Sequence, residues 1–457
     1  MDIHTLTLKE TIEKLHKKEF SKEELLNTYV NRIKVLNPQL NAFLTVNPVK
    51  SDNESGLLKA IPIAVKDIFL VKGMKTTAGS EVLSEYIPQY SSTVVNRLLN
   101  SGVTIIGKTN LDAWAHGSSG ENSDFGSTKN PWNLEYVPGG SSSGSAVSVA
   151  ADLCLGAMGT DTGGSIRLPA SFCNVVGLKP TYGRVSRYGI IAMASSLDSI
   201  GHFTKTVYDN ALILNSTAGR DPFDATTPNI PVPDYTKNIN KGIKGLKIGV
   251  PKEYFAEGLD KNIEKLVKNA LHKMEELGTK IIEISLPHTE YALAVYYIIQ
   301  PSEVSSNLAR YDGIRFGNDR STFGAEAKRR IMLGTYTLSA GYYDAYYVKA
   351  TKARTLLKKD FTDTFSKVDV IVAPTSPSLP FKFGDRASNP LAMYLSDIYT
   401  VTMNLAGVPA LTVPCGFVND LPVGLQIVGT DFSEELLYQV GYAYEQSTDW
   451  HKMKPNS

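Results

Sequence analysis

Apolar positions recur at helical spacing near the start of the chain and in short runs further on. After Ser21, the residues Leu25, Tyr29, Ile33 and Leu36 fall on one helical face. Thr7 with Glu10, and Ser21 with Glu24, have the spacing of a capping box, in which a hydroxyl and a carboxylate satisfy the first free N–H groups of a helix. Two helices are therefore expected between about residues 5 and 37, the second ended by Asn37-Pro38, because proline disfavours helical geometry in the residue before it. Ile61 to Val65 then reads as a strand with Lys66 and Asp67 at its end, and Val103 to Ile106 as another, after a helical stretch from Val94 to Leu99. Leu246 to Val250 is a third strand. Asp260 caps a helix marked by Ile263, Leu266, Ala270, Met274 and Leu277, which Gly278 ends. Ile281 to Ile284, Val368 to Ala373, Ala410 to Val413 and Leu425 to Val428 are further strands. Strands alternating with helices predict an α/β fold with a large sheet packed on both faces. The proline-bearing segment from Asp221 to Gly245 reads as a surface crossover, since the alternation resumes after it. Residues 1–457 are read as a single domain.

Composition narrows the class. The chain carries 47 Lys plus Arg against 46 Asp plus Glu. That balance gives no reason to expect it to hold nucleic acid by itself, which needs a basic face. Cys154, Cys173 and Cys415 have neither disulfide-framework nor zinc-ligand spacing. The start, Met1-Asp2-Ile3-His4, has no basic segment followed by an apolar run, and no stretch is long and apolar enough to span a bilayer. The expectation is a cytoplasmic enzyme or enzyme subunit that binds no metal.

Two segments carry candidate chemistry: Pro138-Gly139-Gly140-Ser141-Ser142-Ser143-Gly144-Ser145-Ala146 and Gly159-Thr160-Asp161-Thr162-Gly163-Gly164-Ser165-Ile166-Arg167. By composition alone the first is equally a flexible linker. However, the Ala/Val-rich run from Ala146 to Ala151 follows at once and reads as a buried helix of small residues. No phosphate-loop spacing is present. A serine nucleophile needs a base beside it. The nearest histidine, His116, lies in the loop-like stretch Ala115-His116-Gly117-Ser118, and nothing there marks it as one. Lys66 follows an apolar run and could serve if burial made it neutral, although its position alone reads as a surface lysine capping a strand. Thr162-Gly163-Gly164 offers backbone N–H groups to a developing oxyanion, each such donor typically worth about 10²–10³ in rate. It reads equally as a plain turn.

Taken together, these residues resemble the amidase signature family, whose hallmark is a lysine at a strand end, a Gly-Gly-Ser-Ser loop and a Gly-Gly-Ser nucleophile turn. Lys66, Ser141 and Ser165 match that hallmark in type and spacing. The likeness extends through Pro62-Ile63-Ala64-Val65-Lys66-Asp67, Gly107-Lys108-Thr109-Asn110 and Val176-Gly177-Leu178-Lys179-Pro180-Thr181. It resumes in Asn404-Leu405-Ala406-Gly407-Val408-Pro409 and Leu421-Pro422-Val423-Gly424-Leu425-Gln426. The resemblance implies a mixed sheet covered by helices. It implies catalysis by Ser165 as nucleophile, Ser141 as relay after a cis peptide bond, and Lys66 as base, through an acyl-enzyme, with Thr162, Gly163 and Gly164 at the oxyanion.

Within the family, Gly183-Arg184-Val185-Ser186-Arg187-Tyr188-Gly189, Arg220-Asp221-Pro222-Phe223-Asp224 and Gly341-Tyr342-Tyr343-Asp344-Ala345-Tyr346-Tyr347 resemble the glutaminase subunits of tRNA-dependent amidotransferases. That branch implies hydrolysis of glutamine to ammonia for ATP-dependent conversion of Glu-tRNA(Gln) to Gln-tRNA(Gln), in a heterotrimer with two partner subunits, B and C. ATP and magnesium would be used through a partner, which would also make the main contacts with tRNA. Arg330 and Asp397 match the positions expected to bind the α-carboxylate and the ammonium of glutamine, with Tyr296 lining the pocket. The alternative is a stand-alone amidase acting on another small amide. Ser143, His202 and a short segment over residues 318–327 depart from the pattern.

Overall fold

β2 (Pro62–Lys66) has every side chain buried, and so do β3 (Thr104–Thr109) and β4 (Gly156–Asp161). Side chains alternate between the two faces of a sheet, so strands buried along their whole length are covered on both faces. The computed structural model describes residues 2–311, 317–386 and 389–455. Its other strands are β1 (Phe43–Val49), β5 (Val176–Lys179), β6 (Ser199–Thr204), β7 (Lys247–Pro251), β8 (Lys280–Ile284), β9 (Val370–Pro374), β10 (Ala410–Val418) and β11 (Leu421–Val428). The eleven form one mixed sheet in the order β1-β3-β2-β4-β6-β5-β10-β11-β9-β7-β8. β2 runs parallel to both β3 and β4, and β7 parallel to both β8 and β9, while the middle of the sheet is antiparallel. This is the mixed, helix-covered α/β architecture expected.

Both capping boxes form, at Thr7 with Glu10 and at Ser21 with Glu24. The second helix, however, runs on through Pro38 to Leu40. Two local interactions outweigh the proline's preference. Asn41 closes the helix in the left-handed conformation, and the Asn37 side chain exchanges two hydrogen bonds with the backbone of Phe43, at 2.7 and 3.0 Å. Leu40 is buried as a result. The helix Lys261–Glu276 starts at Asp260, whose carboxylate accepts from the N–H groups of Asn262 and Ile263. The run after Ala146 belongs to the helix Ser143–Ala150, all of it buried.

Residues 221–245 contain no helix or strand, and strands from both sides of them enter the same sheet. Arg184 anchors the segment, donating to the Tyr235 hydroxyl at 2.7 Å and to the Pro231 carbonyl at 2.9 Å. β1, β4, β5 and β6 have no counterpart in the sequence-based assignment. β4 to β6 are short, rich in Gly, Ser and Thr and buried on both faces, so they lack the alternation that marks a half-exposed strand. The three cysteines are buried and free. Among the described residues, no helix is long and apolar enough to cross a membrane.

Candidate active site

Lys66 is the last residue of β2, and Thr160 lies near the end of the parallel neighbour β4. Parallel strands point the same way, so both residues and the turn that follows Asp161 emerge at one edge of the sheet. Lys66 Nζ lies 2.7 Å from Ser141 Oγ, 3.0 Å from Ser142 Oγ and 3.0 Å from Thr160 Oγ1. These three partners are all hydroxyls. Burial pushes the ammonium down to about 7, although Asp112, Asp198 and Asp161 pull the other way. Lys66 is thus not the surface lysine that its position alone suggested.

Ser141 follows a cis peptide bond from Gly140, and Ser142 immediately precedes the helix Ser143–Ala150. Gly140 is pressed against Asp112: a Cβ there would lie 2.1 Å from Asp112 Oδ2. Asp112 accepts from the N–H groups of Gly120 and Asn122 at 3.0 and 2.9 Å, and burial pushes its carboxyl up to about 6. The Ser142 N–H donates to the Ser165 carbonyl at 3.2 Å, which ties the Ser141 loop to the Gly163-Gly164-Ser165 turn. Lys66 and Ser141 are fully buried, whereas Ser165 is 9% exposed, so Ser165 is the member of the three that a substrate can reach.

The turn is shaped by a carboxylate with no role assigned from the sequence. Asp161 accepts from the N–H groups of Gly164 (2.9 Å) and Ile166 (3.2 Å) and from the Arg167 guanidinium (2.9 and 3.0 Å). Burial alone would raise its carboxyl, but Arg167 holds it at about 2. This corrects one expectation: the Gly164 N–H, nominated as an oxyanion donor, is directed at Asp161. Gly164 has φ +144°, which side-chain-bearing residues rarely adopt. Thr162 donates its hydroxyl proton to Asp198 at 2.7 Å, and Gly163 lies under Tyr296, whose ring would meet a Cβ at 2.7 Å.

The structure brings Tyr296 and Asp397 to this turn, and Arg330 to the Tyr297 ring beside Asp397, from three separate elements. Asp397 Oδ1 lies 3.4 Å from the position a Gly164 Cβ would take. Its Oδ2 accepts from Ser118 Oγ at 2.6 Å and from Tyr297 Oη at 3.4 Å, and burial pushes its carboxyl up to about 7. Arg330 bonds Glu326 and Gln300, each at 2.7 Å, and its guanidinium lies over the rings of Tyr297 and Tyr394. Tyr297, Ser118 and Gln300 were therefore missed. Tyr296 and Tyr297 are adjacent tyrosines on one buried helix, and no sequence signal says which of them meets Asp397. Ser143 Oγ donates to Thr128 at 3.2 Å, and His202 is buried in β6 with Nε2 2.8 Å from the Asn210 carbonyl. Neither bond involves Lys66, Ser141 or Ser165. The short segment holds a single turn, Arg320–Thr322, before the helix Ala325–Leu338 that carries Arg330. Among the described residues, no three His, Cys, Asp or Glu side chains cluster to hold a metal ion.

A family model described as Amidase matches residues 24–438. The chain is 53% identical to a protein of Thermodesulfovibrio yellowstonii that bears the name of the A subunit of glutamyl-tRNA(Gln) amidotransferase, with all of both chains covered. It superimposes on the crystal structure of the protein of that name from Thermotoga maritima with a TM-score of 0.89 and 43% identity, covering 100% of this chain and 98% of the other. The peptide amidase of Stenotrophomonas maltophilia superimposes with a TM-score of 0.81 and 30% identity, covering 97% and 96%. With the lysine, both serines and the glycine turn meeting at one edge of this sheet, the chain belongs to the amidase family.

Proposed function

We propose that this chain is the glutaminase component, the A subunit, of a glutamyl-tRNA(Gln) amidotransferase and hydrolyses glutamine to release ammonia. The observation that carries this reading is a buried carboxylate, Asp397, beside the turn that bears Ser165, with a buried cation, Arg330, over the ring of the Tyr297 that meets Asp397. An α-amino acid needs both charges, and a neutral aryl or fatty amide needs neither. Half-identity along the full length to proteins of that name supports it.

The chemistry follows from the hydrogen bonds around Lys66. Ser142 Oγ donates its proton to the Thr160 carbonyl at 3.0 Å, so it must accept one from Lys66. A neutral amine has two N–H groups and one lone pair. If Ser142 and Thr160 take the two N–H groups, the lone pair faces Ser141. Lys66 then draws a proton from Ser141 as Ser141 draws one from Ser165, and Ser165 attacks the amide carbon. Backbone N–H groups at Thr162 and Gly163 stabilise the oxyanion. The proton returns through Ser141 to the departing ammonia, and water hydrolyses the acyl group from Ser165.

In this reading two partner subunits complete a cytoplasmic heterotrimer. One of them uses ATP and magnesium to activate Glu-tRNA(Gln), makes the main tRNA contacts and receives the ammonia. The test is ammonia release from glutamine by the purified chain, alone and with its candidate partners, beside an aryl amide. Glutamine turnover that rises with partners and vanishes in Ser165→Ala supports the proposal. Aryl-amide turnover with no glutamine hydrolysis under any condition overturns it in favour of a stand-alone amidase.

A further inference from the structure

Gln300 lies one helical turn beyond Tyr296 and Tyr297 on the helix Thr289–Leu308, so the three share a face. It is fully buried. Its Oε1 accepts from Arg330 Nη1 at 2.7 Å, while its Nε2 has no partner among the described residues. His116 approaches from another element, the loop after the single turn Ala113–Ala115. It is 1% exposed, and neither ring nitrogen is hydrogen-bonded among the described residues. His116 stands two positions before Ser118, whose hydroxyl holds Asp397. Arg330 is the charge that acts on it. Buried polar side chains without partners are rare, because the lost water contacts are not replaced. Here Gln300 is bonded directly to Arg330, and His116 feels the Arg330 charge from the loop whose Ser118 holds Asp397.

Their chemistry suits an anion. Burial and the Arg330 charge hold the imidazole well below its usual range, so it is neutral and presents one N–H. Gln300 Nε2 presents two, held in place because the other end of the amide is bonded to Arg330. A carboxylate has about four lone-pair sites to fill. Arg330 has already committed Nε to Glu326 and Nη1 to Gln300.

We propose that the Gln300 amide and the His116 imidazole join Arg330 in binding the substrate's α-carboxylate, which makes the site selective for an amide that carries a free α-carboxylate. The inference rests on glutamine as the substrate. Neither residue acts on the scissile amide.

The experiment compares L-glutamine with L-glutaminamide, which keeps the ammonium and the side-chain amide but replaces the α-carboxylate with a neutral group. The enzyme is the full chain with its partner subunits. The ratio of the two kcat/KM values does not depend on the fraction of each preparation that is folded. Gln300→Met and His116→Phe are each expected to lower this preference for glutamine by about ten- to a hundredfold, the usual worth of a hydrogen bond to a charged group. Glutaminamide turnover should hold within a few-fold. Gln300→Asn, which keeps an amide but withdraws it by one methylene, should give a smaller loss. An unchanged ratio in both Gln300→Met and His116→Phe, or equal losses on the two substrates, overturns the inference and leaves the proposed function standing. A wild-type complex that ignores glutamine overturns both.

Discussion

Asp161 grips Arg167 with both carboxylate oxygens, Nη2 donating to Oδ1 at 2.9 Å and Nε to Oδ2 at 3.0 Å, across the loop that holds Ser165. Both side chains are fully buried. Asn404 Oδ1 and Gln426 Oε1 accept from the rest of the guanidinium, at 2.7 and 3.2 Å. Asp161→Asn removes the only carboxylate in that set and strands a buried cation. Breaking such a pair costs about 3–5 kcal/mol. Denaturant unfolding should show a loss of that size; a loss under about 1 kcal/mol, the worth of an exposed pair, would show that the pair does not hold the turn.

Lys66→Met keeps a long side chain in the same packing but removes the proposed base. It should lower kcat for ammonia release by about 10²–10⁴, the usual share of general-base catalysis. The midpoint of thermal unfolding should stay or rise, because a buried amine is replaced by an apolar group. Activity within tenfold of wild type would remove Lys66 from the mechanism.

The pH profile carries two ionisations. Lys66 acts as a base only when neutral, and burial brings it to about 7, so activity rises with pH through that range. Asp397, pushed up to about 7 by burial, can bind the substrate ammonium, as proposed, only when charged, which also favours higher pH. Below neutrality, kcat/KM should therefore fall more steeply than one ionisation allows. In the substrate complex the ammonium keeps Asp397 charged, so kcat should fall with the slope of Lys66 alone. Identical slopes in the two profiles would contradict this division of roles.

Gly163→Ala places a methyl group 2.7 Å from Cζ and Oη of Tyr296, inside contact distance. Either the ring or the turn must shift. Because Ser165 lies two residues on, kcat/KM for glutamine should fall by about tenfold or more. In a Tyr296→Leu background the same substitution should cost much less. Additive effects in that double-mutant cycle would show that the ring does not set the turn.

Much of this was legible along the chain. Capping boxes, the run before Lys66, the glycine turn and the spacing of Ser141 and Ser165 are local patterns, and local backbone preference and side-chain period enforce them. The end of the second helix was misplaced because Asn37, within the helix, is tied to the backbone of Phe43 beyond it, against the proline's own preference. β4 to β6 went unread for a related reason. A strand buried on both faces needs no alternation, and β5 is also paired with β10 from near the end of the chain.

The sequence by itself determined the residue types of the site and the short turns that present them. Tertiary structure decided what those residues are chemically. Lys66 becomes a candidate base because β3 and β4 flank its strand and Ser141, Ser142 and Thr160 surround its amine with hydroxyls. Desolvation and the choice of neighbour are properties of the packed whole. The same holds for Asp161, Tyr297, Gln300 and His116, whose identities were plain in the sequence but whose partners, or lack of them, depend on elements brought together only by folding.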